Sequence, residues 1–395
     1  MKRVPMKLAN RLSRVKPSAT LAVNAKALEL KNRGVDVISL AVGEPDFPTP
    51  PHIAESAKKA IDEHFTRYTA VAGIPEIRAG ICEYYQKVHG VSAKNENVII
   101  GNGGKQCLYN LLLCLLNEGD DVLIPVPYWT SYPDMAALVG ANPVFVPSSA
   151  ENGYRISLGA LDASLTPKTK LLLLNSPSNP SGVSYSQKEL DTIIRWAMEK
   201  DIFIIADEVY EQLVYDEKYQ SSASKLWEQY PDKIAILNAF SKSFAMTGWR
   251  LGFALAHKEL ITEMTKLQGQ ITSSICSISQ KAGVTALTSS YDCILPMKEA
   301  FKRRRDFAYA EISSWKNILC PKPEGAFYLF PDVSELFCEK YKNAQELCSY
   351  LLDEAKVAVM PGDAFGLPNC IRISYAVSDE TLKKALTSIK KALYD

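Results

Sequence analysis

Long apolar runs, excess charge of either sign and paired cysteines are all missing from this 395-residue chain. Its apolar runs are too short or too interrupted to span a bilayer. The stretch Met1 to Leu21, basic through Lys2, Arg3, Lys7, Arg11, Arg14 and Lys16, has no continuous apolar segment of the signal-peptide kind. Membrane insertion and export are therefore not expected. Lys and Arg number 45 against 44 Asp and Glu, for a formal charge of +1, which leaves no basic field to hold a nucleic-acid backbone. The nine cysteines form no C-x-x-C pair and sit mostly in apolar surroundings, as reduced thiols of a cytoplasmic protein would. Four histidines, His52, His64, His89 and His257, offer neither a metal site nor a catalytic group. A small-molecule ligand is the expectation that remains.

The length points to one large domain with a smaller one appended. From about residue 50 to 290, helix-period stretches alternate with short apolar runs: Val98 to Gly101, Asp121 to Pro125, Asn142 to Val146, Lys170 to Asn175, Ile202 to Ala206, Ile234 to Asn238 and Gly252 to Ala256. Runs that lack polar alternation are strands covered on both faces, so the expected fold class is α/β, with a mostly parallel central sheet under helices. Beyond residue 290, a basic helical stretch around Met297 to Tyr309 precedes two further strands, Gly325-Ala-Phe-Tyr-Leu-Phe and Cys370-Ile-Arg-Ile-Ser-Tyr, which predict a smaller α+β unit. Pro45 to Pro51 holds four prolines and reads as a linker. The expected division is a large domain over 46–290 and a small one made of 1–45 plus 291–395.

Open α/β sheets bind ligands outside the carboxyl ends of their strands, so function is expected just after these runs. Four stations stand there. Gly101-Asn-Gly103-Gly104-Lys105-Gln106 precedes a leucine-rich helix, an arrangement that points backbone N–H groups at a phosphate. It fits neither the P-loop nor the dinucleotide fingerprint, which disfavours nucleotide chemistry. Asn175-Ser-Pro-Ser-Asn179-Pro-Ser-Gly182 would aim an amide inward, although alone it is an ordinary turn. Asp207-Glu-Val-Tyr210 puts a carboxylate at a strand end, where a helix N-cap is the plainer reading. Ser241-Lys242-Ser243 follows the next strand, with Arg250 close behind in sequence. A lone lysine there is usually a solvated loop residue; a partly desolvated one beside other cations has a lowered pKa and becomes a nucleophile.

In this order, the four stations resemble the fold-type I pyridoxal-phosphate enzymes, specifically the class I/II aminotransferases, over nearly the whole chain. Lys16-Pro-Ser-Ala-Thr20, Gly43-Glu-Pro-Asp-Phe47, Gly103-Gly-Lys-Gln106, Pro127-Tyr-Trp-Thr-Ser-Tyr132 and Ala245-Met-Thr-Gly-Trp-Arg250 look like the bacterial aspartate aminotransferases of the Ib subgroup, some of which also use prephenate.

The resemblance implies a role for each matching residue. Lys242 would carry pyridoxal 5'-phosphate as a Schiff base and act as the base, while Asp207 would keep the ring nitrogen protonated. Asn179 and Tyr210 would hydrogen-bond the ring's phenolic oxygen, and Trp129 would stack on the ring. Gly103, Gly104, Lys105, Ser241, Arg250 and, from a second subunit of a homodimer, Tyr68 would hold the phosphate. Many family members carry a serine where this chain has Ala239, and Ser241 or another donor would compensate. Arg372 and Gly43 would take the substrate α-carboxylate, against the plainer reading of Arg372 as an edge-strand ion-pair residue. Lys105 and Thr20, the latter on a mobile N-terminal segment, would take the second carboxylate of a dicarboxylic substrate. The expected reaction is ping-pong transfer of an amino group between an amino acid and a 2-oxo acid, aspartate and 2-oxoglutarate being favoured. A prephenate or aromatic acceptor is the nearest alternative. A lyase acting on sulfur amino acids and a non-catalytic regulatory protein are the more distant ones.

Overall fold

Alternate side chains of a strand leave the sheet on opposite faces, and here both sets are apolar. Leu172, Leu174, Ile204 and Ala206 pack into one buried cluster, Leu171, Leu173 and Ile205 into another. A sheet of this kind needs helices on both sides. The helices Pro75–His89 and Gln187–Glu199 fill the first cluster, and Gly104–Leu115, Ser131–Leu138 and Lys258–Ile271 fill the second. Each fully buried Leu or Ile contributes roughly 1.5–3 kcal/mol relative to exposure, which makes this three-layer core the main stabilising feature.

The computed structural model describes residues 6–15, 17 and 19–395. Its strands are β1 (Ile38–Ser39), β2 (Val98–Asn102), β3 (Asp121–Pro125), β4 (Asn142–Val146), β5 (Thr169–Asn175), β6 (Phe203–Asp207), β7 (Ile234–Ala239), β8 (Leu251–Leu255), β9 (Tyr328–Leu329), β10 (Val357–Ala358), β11 (Met360–Pro361) and β12 (Ile371–Ser374). The large sheet has the order β2-β8-β7-β6-β5-β3-β4. All seven expected runs are in it, each within a residue or so of its expected bounds. Only β8 runs antiparallel to both neighbours, while the pairs among β3 to β7 are parallel.

Two small sheets lie outside it: β1 with β10, and β11-β12-β9. Residues near both ends of the chain therefore pair with one another, Ile38 with Val357 and Ser39 with Ala358. The strand expected at Gly325 to Phe330 shrinks to Tyr328–Leu329, because Gly325 and Ala326 turn to bond other segments: Gly325 N–H donates to the Gly182 carbonyl and Ala326 N–H to that of Leu213. The basic helix extends beyond expectation, to Leu295–Ser313. Pro51 is not linker but the first residue of the helix Pro51–Asp62, where its missing N–H costs nothing. The start of the chain also departs from the expected packing: Asn10–Arg14 lies against the helix Ser131–Leu138, and Arg14 Nη2 meets Glu118 Oε1 at 3.0 Å, on the large-sheet side.

Candidate active site

Because β5, β6 and β7 are neighbours, their carboxyl ends converge on one cavity of about 350 Å³. Asn175 ends β5 and Asp207 ends β6, while Ser241 and Lys242 lie on the single helical turn Phe240–Ser243 that follows β7. Asp207 is buried, and its carboxylate accepts from the Tyr132 hydroxyl at 2.6 Å and the Val209 N–H at 3.2 Å. Burial pushes its pKa up to about 6 against the lowering effect of those two donors and of the Lys242 charge. Both hydrogen-bond donors are neutral, so the carboxylate faces the cavity ready for a cationic N–H.

Lys242 points into the same space, and its Nζ donates to the Gly43 carbonyl at 2.6 Å. Burial lowers its pKa to about 8; the charges of Arg372 and Arg250 act in the same direction, those of Glu44 and Asp207 against it. A lysine so placed holds a substantial neutral fraction near pH 8 and is a usable nucleophile and base.

The far wall is the start of the helix Gly104–Leu115, whose N-cap Gly103 has φ +78°. A β-carbon on Gly252 of β8 would sit 2.3 Å from the Gly104 nitrogen, so the absence of a side chain there lets β8 and the helix start close up. Arg250, itself in the left-handed region at φ +54°, swings its guanidinium across this turn, with Nη1 donating to the Thr247 carbonyl at 2.8 Å. Lys105 Nζ lies over the Trp129 ring, 4.9 Å from its centroid, and its pKa is lowered by burial and then by the Arg250 charge.

Arg372 closes the opposite side. It is the second residue of β12, the middle strand of its sheet, and is 3% exposed. Its Nη1 donates to Asn179 Oδ1 at 2.9 Å and its Nη2 to the Ala41 carbonyl at 2.6 Å, whereas its buried Nε has no partner. The edge-strand ion-pair reading is thus set aside. A buried guanidinium held only by neutral acceptors, with a spare donor, is suited to a carboxylate. The rings of Tyr328 and Phe365 lie 4.6 and 4.8 Å from its central carbon. Tyr328 in turn shares a 2.8 Å hydrogen bond with the Tyr210 hydroxyl.

Of the expected residues, Gly43, Gly104, Lys105, Trp129, Asn179, Asp207, Tyr210, Ser241, Lys242, Arg250 and Arg372 line this one cavity, as does Ala239. Gly103 stands just behind, under the Arg250 guanidinium. Tyr68 is away from it and 93% exposed. Thr20 belongs to the helix Ala19–Asn32, and its side chain lies outside the described residues. Glu44, Tyr132, Asn175, Thr247 and Tyr328 also line the cavity, although no role was expected of them. Tyr132 and Glu44 lie inside motifs already quoted for the resemblance, which was the available signal; Tyr328 sits in a run that reads as core.

The aminotransferase class I and II family model matches residues 35–389, and the chain belongs to that family. It is an aminotransferase. Among particular proteins, it is 44% identical over 393 residues to the probable aspartate/prephenate aminotransferase of Rickettsia conorii, with 98% of each chain covered. It is 41% identical to the aspartate aminotransferase of Bacillus subtilis, again over 98% of each. The structure of the Thermus thermophilus aspartate aminotransferase with maleate superposes with a TM-score of 0.93 at 38% identity, covering 98% of this chain and all of that one.

Enzymes of this family use pyridoxal phosphate, and the cavity fits that group on its own chemistry. A buried carboxylate with neutral donors meets the need of a pyridinium N–H, an amine with a depressed pKa meets that of an aldehyde, and a helix start beside Arg250 meets that of a phosphate.

Proposed function

We propose that this aminotransferase binds pyridoxal 5'-phosphate at Lys242 and exchanges amino groups between aspartate and 2-oxoglutarate. The observation that carries the reading is the meeting of Lys242, Asp207 and Arg372 in one cavity: a nucleophilic amine, a buried anion and a buried cation with a spare N–H. When bound, the cofactor supplies an electron sink for the charge left at the substrate α-carbon.

The side chains of this chain do the rest. Arg372, with Gly43 beside it, holds the α-carboxylate and fixes the orientation of the α C–H bond. Lys242 Nζ takes the proton from that carbon and delivers it during transfer. Asp207 keeps a proton on the ring nitrogen, with Tyr132 and the Val209 N–H restraining its carboxylate. Asn179 and Tyr210 present hydrogen-bonding groups to the ring oxygen, and Trp129 covers the ring face. The Gly103, Gly104 and Lys105 amides with Ser241, Arg250 and Tyr68 of the partner subunit hold the phosphate. Lys105 and Thr20 take the distal carboxylate. Each catalytic cycle is two half-reactions, the first converting the donor to its 2-oxo acid and the second aminating another oxo acid.

The site thus includes a residue of a second copy, and we propose a homodimer acting in the cytoplasm. Among the described residues no helix is long and apolar enough to cross a membrane. We further propose the division into a large domain, 46–290, and a small one, 1–45 plus 291–395, which the three separate sheets favour, with Asn10–Arg14 reaching across to pack on the large one.

Prephenate is the second acceptor to consider, because the Rickettsia relative is named for both substrates and Lys105 could meet a carboxylate on either. Comparing kcat/KM for 2-oxoglutarate, oxaloacetate and prephenate tests the assignment. Turnover of prephenate with negligible turnover of the dicarboxylates would reverse the order. Pyruvate and ammonia released without any oxo acid would mark a lyase instead.

A further inference from the structure

The segment Asp207–Glu211 has two working faces. Asp207 and Tyr210 line the cavity, while Glu208 and Glu211, each 3% exposed, belong to a second polar centre behind it. Three donors from two other elements converge on Glu211. The Tyr84 hydroxyl reaches Oε1 at 2.6 Å, Asn238 Nδ2 reaches the same oxygen at 2.7 Å, and His89 Nε2 lies 3.0 Å from Oε2. Glu208 accepts from the Ser222 hydroxyl at 2.7 Å and the Ala223 N–H at 2.6 Å. None of these groups touches the cavity except Asn238, the penultimate residue of β7. Its Oδ1 accepts from the Ala239 N–H at 2.7 Å, just before the turn that carries Lys242.

Burying two carboxylates and an imidazole is costly, and apolar side chains would fill the same volume with less penalty. What a fully bonded carboxylate adds is directional: it sets the angle and distance between the elements that supply its donors. Here those elements are the end of the helix Pro75–His89, the segment after β6 and the end of β7. The second continues from Asp207 at the end of β6, and the third leads into the turn that carries Lys242.

We propose that Glu211 is a positioning residue for the reaction: braced by His89 and Tyr84, it fixes Asn238 and hence the Lys242 turn relative to Asp207 and Tyr210. The proposal rests on the roles given above to Lys242 and Asp207. The titratable groups around the hub are Glu208, His89, Tyr84 and Tyr85, with the Lys225 charge acting on His89 and Tyr291 within the influence of Glu211. Burial depresses the His89 imidazole, but the Glu211 hydrogen bond and the charges of Glu211 and Glu208 outweigh it and raise its pKa. That favours the protonated imidazole as a donor to Glu211.

The test uses the holoenzyme. Glu211→Gln keeps the volume but removes the charge and replaces one acceptor oxygen with an NH2, which must face either the Tyr84 and Asn238 donors or the His89 ring nitrogen. Small displacements of reacting groups cost up to about a hundredfold, so kcat is expected to fall about tenfold or more. The aspartate KM should stay within about threefold. The midpoint of the pH titration of the bound cofactor's visible absorbance should also move, reporting the altered setting of Lys242. His89→Phe keeps an aromatic ring beside Tyr84 and Tyr85, whose centroids are 6.0 and 5.3 Å away, and should shift both readouts in the same direction. His89→Gln, which restores a donor, should recover part of the loss. If Glu211→Gln fails to fold, His89→Phe and Tyr84→Phe carry the same readouts. Variants that melt earlier yet keep the wild-type kcat and titration curve would reduce the hub to a purely stabilising one and overturn the proposal. Lys242→Ala, run alongside, separates the two layers: retained turnover there would sink the reading of Lys242 itself, whereas its loss beside an unaffected Glu211→Gln would sink only the positioning role.

Discussion

Lys242 Nζ lies 2.6 Å from the carbonyl oxygen of Gly43, a bond that ties the turn after β7 to the segment between β1 and the helix Pro51–Asp62. The amine therefore has a neutral acceptor, the Gly43 carbonyl, in a site whose burial disfavours its charge. It is held at the point where Arg372, through the Ala41 carbonyl, also touches that segment.

The first prediction concerns the amine itself. With its pKa lowered to about 8, mainly by burial, Lys242 loses its proton well below an ordinary lysine. The rate at which the apoenzyme reacts with pyridoxal phosphate should rise with pH to a midpoint near 8. A midpoint at 10 or above would show an ordinary solvated lysine.

Asp207 gives the opposite sign. Its folded pKa, raised to about 6, lies above the unfolded value near 3.8, so the folded state holds a proton that the unfolded state has lost. Stability of the apoenzyme should consequently fall as pH rises from about 4 to 6. At pH 7, Asp207→Asn should raise apoenzyme stability by up to about 3 kcal/mol while lowering kcat by orders of magnitude. Urea unfolding and steady-state kinetics measure the two effects; a variant both less stable and fully active would contradict the account.

For Arg372, charge alone should not suffice. Arg372→Lys keeps a cation but loses the planar fork that meets Asn179 and Ala41 while leaving Nε free. Removing one charged hydrogen bond costs about 1.5–3 kcal/mol, so kcat/KM should drop about tenfold to a hundredfold for every amino acid tested. A loss confined to acidic substrates would place the α-carboxylate elsewhere.

Lys105 should behave the other way. Lys105→Ala is expected to reduce kcat/KM about tenfold to a hundredfold for aspartate and glutamate, on the same hydrogen-bond scale, and to affect neutral amino acids little. Equal losses for both classes would assign Lys105 to the cofactor phosphate alone.

The large sheet was legible because each strand is a short apolar run closed by a turn, and a strand covered on both faces leaves that mark in composition. The reversal of β8 was not, since side-chain period carries no direction. Asp207, Lys242 and Arg372 could be picked out because charged residues at the ends of apolar runs or within them demand an explanation. Tyr328 could not, being a buried aromatic in a run that reads as core, and Tyr132, although inside a motif of the resemblance, carried no mark of its partner: only the meeting of segments more than 70 residues apart puts the Tyr328 hydroxyl against Tyr210 and that of Tyr132 against Asp207. The Glu211 hub escaped for the same reason, its donors coming from residues 84, 89 and 238. Likewise the ion pair between Arg14 and Glu118 joins residues whose sequence neighbourhoods carry no sign of each other.

The central claim is a two-step amino transfer at one cofactor site, and a single-turnover experiment tests it most directly. Holoenzyme mixed with aspartate and no acceptor should release one oxaloacetate per active site and stop, with a change in the bound cofactor's absorbance. Later addition of 2-oxoglutarate should restore that absorbance and yield one glutamate per site. Continuous product formation without an acceptor, or no oxaloacetate at all from a fully loaded enzyme, would contradict it.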